Sequence, residues 1–327
     1  MFAIRQHEFG GPEELRYERV DDPVPGPGQV RIVMAAAGVH LIDTSIRSGT
    51  SGGPFPLPDL PVTPGREMAG TVDAVGDGVD PAWVGERVVA HLGAAGGGYA
   101  EMAVTGVEAL HRLADGVAFT DAAAMVGTGR TTMAVLEVGA LTGDDVVLVT
   151  AAAGGIGSLV VQIARRRGAT VVGLAGGPAK VRAVEQLGAN AAFDYTDAGW
   201  PDRVRAWAEG RPVTLGLDGV GGMIGRHVLE LVGPGGRLVL FGSSSGEVVP
   251  LSAGDLFRTG VTVSAAVGAR MTSRPEGFRP WAEQALAELA AGTVRPLVHP
   301  PFRLADAAGA HRAIAGRATT GKVVLVP

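Results

Sequence analysis

The stretch "TAAAGGIGSLVVQIA" (150–164) constrains this chain more than any other. It follows the apolar run "VVLV" (146–149), carries no charge and places three glycines among apolar residues. A membrane span, a tight structural turn and a cradle for phosphates all accommodate such a run. The span is rejected, because "AAAGGIG" breaks it in the middle, no aromatic belt borders it and no positive flank precedes it. A buried strand, a glycine turn and a buried helix explain it with less strain. Ala152, Gly154 and Gly157 then occupy the glycine positions of G-x-G-x-x-G, with alanine in the first and Gly155 added. A bare backbone at Gly154 lets a pyrophosphate approach, Gly157 lets the helix lie close to the strand, and the helix N-terminus offers free N–H groups. Ala153 and Ile156 lie inside the same turn.

A lone glycine pattern is weak, so its surroundings decide. "VVLVT" (146–150), "TVVGL" (170–174), "AAFDY" (191–195), "VTLGLDGV" (213–220), "GRLVLFG" (236–242) and "VTVSAAV" (261–267) read as strands, with helical segments between them. Such alternation predicts a parallel sheet covered on both faces, and six strands complete a doubly wound dinucleotide-binding domain. Upstream, "RYERV", "QVRIVMAAAGV", "GTVDAVG" and "ERVVAHL" are short strands separated by turn chemistry. The proline-rich stretch 54–64 suits neither a helix nor a central strand and is expected to be an ordered loop. "TDAAAMVGTGRTTMAVLEVGA" reads as helix, turn and helix, capped by Thr120 or Asp121. After Val267 the alternation breaks, and the tail ending in "KVVLVP" is expected to rejoin the first domain. The expected division is 1–124 with 267–327, and 125–266, which suits a chain of 327 residues.

Composition excludes several function classes. Net charge is −5 and the longest basic cluster is "RRR" at 165–167, so nucleic acid is not an expected partner. That cluster reads better as a helix end, where cations complement the dipole. There is no cysteine, which removes disulfides, thiolate metal sites and cysteine nucleophiles. "MFAIRQHEFGG" has no apolar signal core, so a cytoplasmic protein is expected. The last strand, "VTVSAAV", is apolar with little gatekeeping charge, and pairing it with a second copy predicts a homodimer.

The second strand bears on the cofactor. NAD sites place an acid about 20 residues after the glycines to hold the ribose 2′-OH. Here "VVGLAGGPAK" has none, and Lys180 follows, which permits and attracts a 2′-phosphate. NADPH is the expected cofactor.

At these residues the chain resembles the zinc-independent quinone oxidoreductases of the medium-chain dehydrogenase/reductase superfamily. "PGPGQVRIVMAAAGVHLIDTSIRSG", "PVTPGREMAGTVDAVGDGV", "GGGYAEMAV", "AAAGGIG", "LDGVGG", "FGSSSG" and "RATTGKVVLVP" carry the likeness in order along nearly the whole chain. The resemblance implies a GroES-like β-barrel domain, a Rossmann domain, NADPH, and a cleft for a quinone or another electrophilic alkene. It implies Thr128 near the nicotinamide. It adds Tyr195 and Arg317 near the 2′-phosphate, with Gly176 among the cofactor-binding residues, while Gly177 stands where the family usually has a hydroxyl residue. Phe241, Gly242 and Ser243, at the end of the fifth strand, lie where open α/β sheets bind ligands and are candidates to hold the carboxamide. His40, Asp43 and Ser45 are candidates to orient the acceptor carbonyl or a water.

Zinc-using members of the superfamily carry a catalytic cysteine and histidine. His40 stands at the cysteine position and Arg66 at the histidine position, with Glu67 retained. A catalytic zinc usually has three protein ligands, so no metal is expected. The family's usual asparagine is His40 here, and its tyrosine near Ser45 is missing. His40 reads either as a buried, hydrogen-bonded residue or as a substrate contact, and Tyr99 either as packing or as a proton donor. An enone or enoyl-thioester reductase of the same fold, a zinc alcohol dehydrogenase, and an NADPH-binding regulator or crystallin-like protein stay open as alternatives.

Overall fold

The structure is a computed structural model that describes residues 1–50 and 56–327. The chain divides into two compact units: unit 1 is Met1–Gly129 with Ala282–Pro327, and unit 2 is Arg130–Trp281.

Unit 1 opens with an antiparallel hairpin of β1 (Phe2–Arg5) and β2 (Arg16–Arg19). Its spine is β3 (Gln29–Val39), followed by α1 (Leu41–Arg47), β4 (Glu67–Val75), β5 (Arg87–His91), β6 (Met102–Gly106), β7 (Leu110–Arg112) and α2 (Phe119–Val126). Strand β3 pairs antiparallel with β4 and β6. Its burial first alternates, as a half-buried strand should, and then becomes continuous over "AAGV" (36–39). There α2 covers the second face: Ala36, Ala69 and Val89 of the sheet meet Ala122, Ala123 and Val126 of the helix. Small side chains on both surfaces allow that approach. The helix begins at Phe119 with Ala118 as its N-cap and no capping side chain, so Thr120 and Asp121 are not the cap. Phe119 packs on the same cluster and starts the helix early, which leaves Asp121 in the first turn, where a carboxylate suits the helix dipole. Of the proline-rich stretch, residues 54 and 55 lie outside the described residues. Residues 56–64 are irregular apart from a bridge between Gln6 and Val62.

Helix α3 (Thr128–Val138) leads into unit 2. There follow β8 (Val146–Val149), α4 (Gly155–Arg166), β9 (Thr170–Ala175), α5 (Pro178–Gln186), β10 (Ala191–Asp194), α6 (Trp200–Ala208), β11 (Val213–Asp218), α7 (Gly222–Leu231), β12 (Val232–Leu240), α8 (Ala253–Thr259), β13 (Thr262–Ala265) and α9 (Ala269–Thr272). The six strands are parallel in the order β10-β9-β8-β11-β12-β13, the expected doubly wound sheet. Its core includes Leu148, Val172, Leu174, Val228 and Leu238. The basic cluster at 165–167 closes α4, and Arg165 donates to the carbonyls of Ala169 and Gly188 at 2.9 and 2.8 Å.

Helix α10 (Arg279–Ala290) precedes β14 (Phe302–Arg303), α11 (Ala307–Ala315) and β15 (Val323–Val326). Strand β15 pairs antiparallel with β3 and parallel with β14. The unit boundaries fall at Arg130 and Trp281, where the sequence pattern suggested 125 and 266. Residues after β13 stay with unit 2 because Arg274 pairs with Glu137 of α3 at 2.6 Å and the Trp281 indole donates to the same carboxylate at 2.8 Å. Those contacts leave no trace in strand–helix periodicity.

The glycine turn is tightest at Gly157. A Cβ there would strike the Ala151 carbonyl and lie 2.7 Å from Ala152 Cα, both backbone, so neither can swing aside. Gly157→Ala is therefore expected to destabilise unit 2 by about 1–3 kcal/mol. Denaturant unfolding followed by α-helical circular dichroism measures this, and wild-type stability would mean that α4 can shift outward without cost.

Candidate active site

In unit 2 the order of strands reverses between β8 and β11, and ligands of open α/β sheets bind outside the carboxyl ends of the strands at such a point. The two ends are tied together there. The Thr150 hydroxyl donates to Asp218 Oδ1 at 2.7 Å and accepts from Gly219 N–H at 2.9 Å. Asp218 also accepts from the N–H groups of Val220 and Gly221 at 3.0 and 2.9 Å. This buried carboxylate is why "LDGVGG" reads as it does: it fixes the loop after β11 by its own backbone.

The sequence-predicted cofactor residues of unit 2 gather on that edge. Gly154 is the N-cap of α4 in extended conformation, and Gly155, Ile156 and Gly157 form its first turn. Ala153 precedes them, and Ala151 is held in the left-handed region at φ 48°, which an alanine rarely adopts. Gly176 and Gly177 follow β9, and Gly177 has φ 92°. Lys180 lies in the first turn of α5, and the Tyr195 hydroxyl and ring lie 3.1–3.3 Å from where a Gly176 Cβ would sit. The nearest acid, Asp194, has its Oδ1 engaged by Gly177 N–H at 2.9 Å and by Thr196. Phe241 is buried against Gly219, where a Cβ would strike its ring, and Gly242 and Ser243 continue beyond β12. Thr128 and Arg317 belong to unit 1, so Thr128 is not part of the Rossmann segment where the expected boundary at 125 had placed it. Arg317 follows α11 with φ 56°, another left-handed position.

In unit 1 the candidates on α1 meet partners from three remote segments. Glu67, the first residue of β4, has 0% side-chain exposure. Its Oε1 is 2.8 Å from His40 Nε2 and its Oε2 is 2.8 Å from Lys322 Nζ, while Nζ and Nε2 are 2.9 Å apart. Burial alone would raise the Glu67 carboxyl. The charges of His40 and Lys322, the hydrogen bond from His40 and the nearby His91 outweigh it and hold the group below the usual carboxylate range. His40 is 25% exposed and presents this buried charge pair to its surroundings.

Asp43 is turned inward. It accepts from the His40 backbone N–H and from the Tyr99 hydroxyl, both at 2.9 Å. Since Tyr99 donates to Asp43, His311 Nε2 donates to Tyr99 at 3.2 Å, and Nδ1 is left to accept from Arg47 at 3.4 Å. Burial, then Asp43, then the hydrogen bond to it keep the Tyr99 phenol protonated well above its ordinary range. Tyr99 is thus a packed structural donor. Asp43 fixes the start of α1 through its Oδ2. Ser45 is half-buried on α1, and its carbonyl accepts from Thr50 N–H at 2.9 Å.

Lys322, His311 and Arg47 were not singled out by sequence. A usable signal was present for Lys322, a lysine directly before an apolar strand, since a charge there needs a buried partner.

The comparisons agree with this geometry. Residues 26–115 match the family model described as alcohol dehydrogenase GroES-like domain, and residues 155–289 match that of zinc-binding dehydrogenase. A quinone oxidoreductase of Pseudomonas aeruginosa is 36% identical over 98% of this chain and 97% of its own. A 2-haloacrylate reductase of Burkholderia is 31% identical over 98% of this chain and 97% of its own. The crystal structure of Escherichia coli quinone oxidoreductase complexed with NADPH superposes with a TM-score of 0.89 at 29% identity, covering 100% of both chains.

The chain belongs to the quinone oxidoreductases of the medium-chain dehydrogenase/reductase superfamily. Zinc fits this member of the family poorly. Among the described residues no three His, Cys, Asp or Glu side chains converge, and His40 and Glu67 contact each other directly with the Lys322 ammonium against both.

Burial, only partly offset by Asp43, and then Arg47 push the His311 pKa down from 6.5 to about 4. Between those values the unfolded chain binds a proton that the folded chain refuses, so stability falls as pH drops through this window, by about 3 kcal/mol in total. His311→Gln, which cannot titrate, should flatten that limb in chemical denaturation across a pH series. An unchanged slope in the variant would place the acid sensitivity elsewhere.

Proposed function

We propose that this protein is an NADPH-dependent reductase that delivers hydride to a quinone without a metal. The observation that carries the cofactor reading is the end of β9, where Ala175, Gly176 and Gly177 offer no carboxylate to a ribose 2′-OH. Lys180 stands in the following turn, and the Oδ1 of Asp194 is engaged by Gly177 and Thr196. The helix N-terminus at Gly154–Gly157 suits a pyrophosphate, as its glycines leave room that a Cβ would fill. Within unit 2, Lys180 and Tyr195 suit a 2′-phosphate, and Phe241, Gly242 and Ser243 a carboxamide. When bound, NADPH supplies the hydride. His40 and Ser45 orient the acceptor oxygen, and Asp43 holds α1 so that His40 stays in place.

The Escherichia coli relative was crystallised with NADPH, and the Pseudomonas aeruginosa relative is named for quinones, which supports this reading. The Burkholderia relative favours a second one, reduction of a small conjugated alkene. Steady-state kinetics with NADPH across quinones, enals, enones and enoyl thioesters separates them. The highest kcat/KM is expected on quinones, and chelators should leave it unchanged. Turnover confined to alkenes would replace the first reading by the second. Tight NADPH binding with no turnover on any acceptor would make the protein a binding module.

A cysteine-free chain gains nothing from an oxidising compartment, and we place it in the cytoplasm. Among the described residues no helix is long and apolar enough to cross a membrane. A homodimer is proposed through the edge strand β13, which lies beyond α8 with Phe257 92% exposed. Light scattering at micromolar concentration should give twice the chain mass.

Lys180→Ala tests the cofactor reading. A charge-assisted hydrogen bond contributes about 1.5–3 kcal/mol, so NADPH should weaken roughly 10- to 100-fold while NADH is nearly unaffected. Equal losses in the two Michaelis constants would show that Lys180 supports structure and does not read the phosphate.

A further inference from the structure

The Glu67 carboxylate is enclosed more completely than an ion pair requires. A Cβ at Gly38 would strike its Oε2 and come within 3.1 Å of Lys322 Cε, and a Cβ at Gly127 would strike its Oε1. Two backbone segments therefore close over the carboxylate, and each oxygen is left one partner: His40 for Oε1 and Lys322 for Oε2. The sheet register builds this meeting. Val39 pairs with Val323 across β3 and β15, so the next residues outward, His40 and Lys322, face each other. Ala37 pairs with Met68 across β3 and β4, which brings Glu67 beside Gly38.

An unpaired charge in such a place is far more costly than an exposed one. The ammonium of Lys322, itself only 5% exposed, meets Glu67 Oε2 at 2.8 Å. Its nitrogen touches both groups that remain of a metal-binding set.

We propose that Lys322 is the resident cation of this site: its ammonium takes the place against both Glu67 and His40 that a divalent metal would otherwise take, and balances the buried carboxylate in the metal's stead. The gap left on removing it is then a binding site for a small primary ammonium ion. The proposal goes beyond the quinone reductase reading and does not depend on it, because its test reads binding and stability and never turnover.

Thermal unfolding of the full chain is compared for wild type, Lys322→Ala, Lys322→Met and the pair Lys322→Met with Glu67→Gln. Loss of one partner from a buried pair should lower the midpoint of Lys322→Ala by roughly 5–10 °C. Ethylammonium chloride should recover at least half of that shift relative to sodium chloride at equal ionic strength, with no such gain in wild type or in the double variant. Ethanol, of similar size but neutral, should not substitute. Dialysis against zinc should leave wild type without stoichiometric metal. If Lys322→Ala is insoluble, Lys322→Met alone should be less stable than Lys322→Met with Glu67→Gln, since the second change removes the unbalanced charge. The proposal is overturned if ethylammonium shifts Lys322→Ala no more than wild type. It is equally overturned if Lys322→Met matches or exceeds the double variant in stability, or if wild type retains one zinc per chain.

Discussion

A carboxylate with no contact with solvent organises unit 1. Glu67 sits at the start of β4 beneath Gly38 and Gly127, and it is tolerable there because His40 and Lys322 meet it at 2.8 Å each. A buried charge of this kind demands excellent geometry before it stops being a liability. Three strands bring the three groups together. If β15 were displaced by one residue along β3, Lys322 would leave the carboxylate, and side chains on β15 would exchange faces. The ion pair and the strand register therefore depend on each other, and the C-terminal tail is as much a part of this cluster as α1.

The second network of unit 1 acts on the same helix from the other side. Arg47, His311, Tyr99 and Asp43 form a chain of hydrogen bonds that ends on the N–H of His40. Each buried polar group in it has a partner, the condition under which such networks rigidify a structure and do not weaken it. His40 is consequently held by its backbone through Asp43 and by its ring through Glu67.

Unit 2 rests on a different constraint. Its strands are parallel, so every connection must cross over, and the carboxyl ends of the strands collect on one edge. The turn residues there are chosen for backbone access: Gly154 at the helix cap, Gly157 against Ala151 and Ala152, and Gly219 beneath Phe241. Asp218 spends its carboxylate on the neighbouring loop, so that the edge is preformed without a ligand.

Much of this was legible in the chain itself. Strand–helix alternation and the spacing of Ala152, Gly154 and Gly157 specify a doubly wound sheet with a phosphate-binding turn, because both are local properties that repeat within a few residues. The missing acid after "VVGL" is equally local. The limits of strand β3 were legible, since "PGPG" marks its start and its alternation gives way to an apolar run that ends at His40. The start of α2 at Phe119 was not, because it is set by packing on Ala36 and Ala69 and not by a capping side chain. The allegiance of residues 267–281 was also hidden, as it depends on Arg274 and Trp281 reaching Glu137. Above all, only the tertiary structure could bring Lys322 to Glu67 and His40, or His311 to Tyr99. Those groups lie hundreds of residues apart in the chain, and no periodicity connects them. Sequence determines which residues can form a turn, a strand or a charge; register across paired strands decides which charges meet.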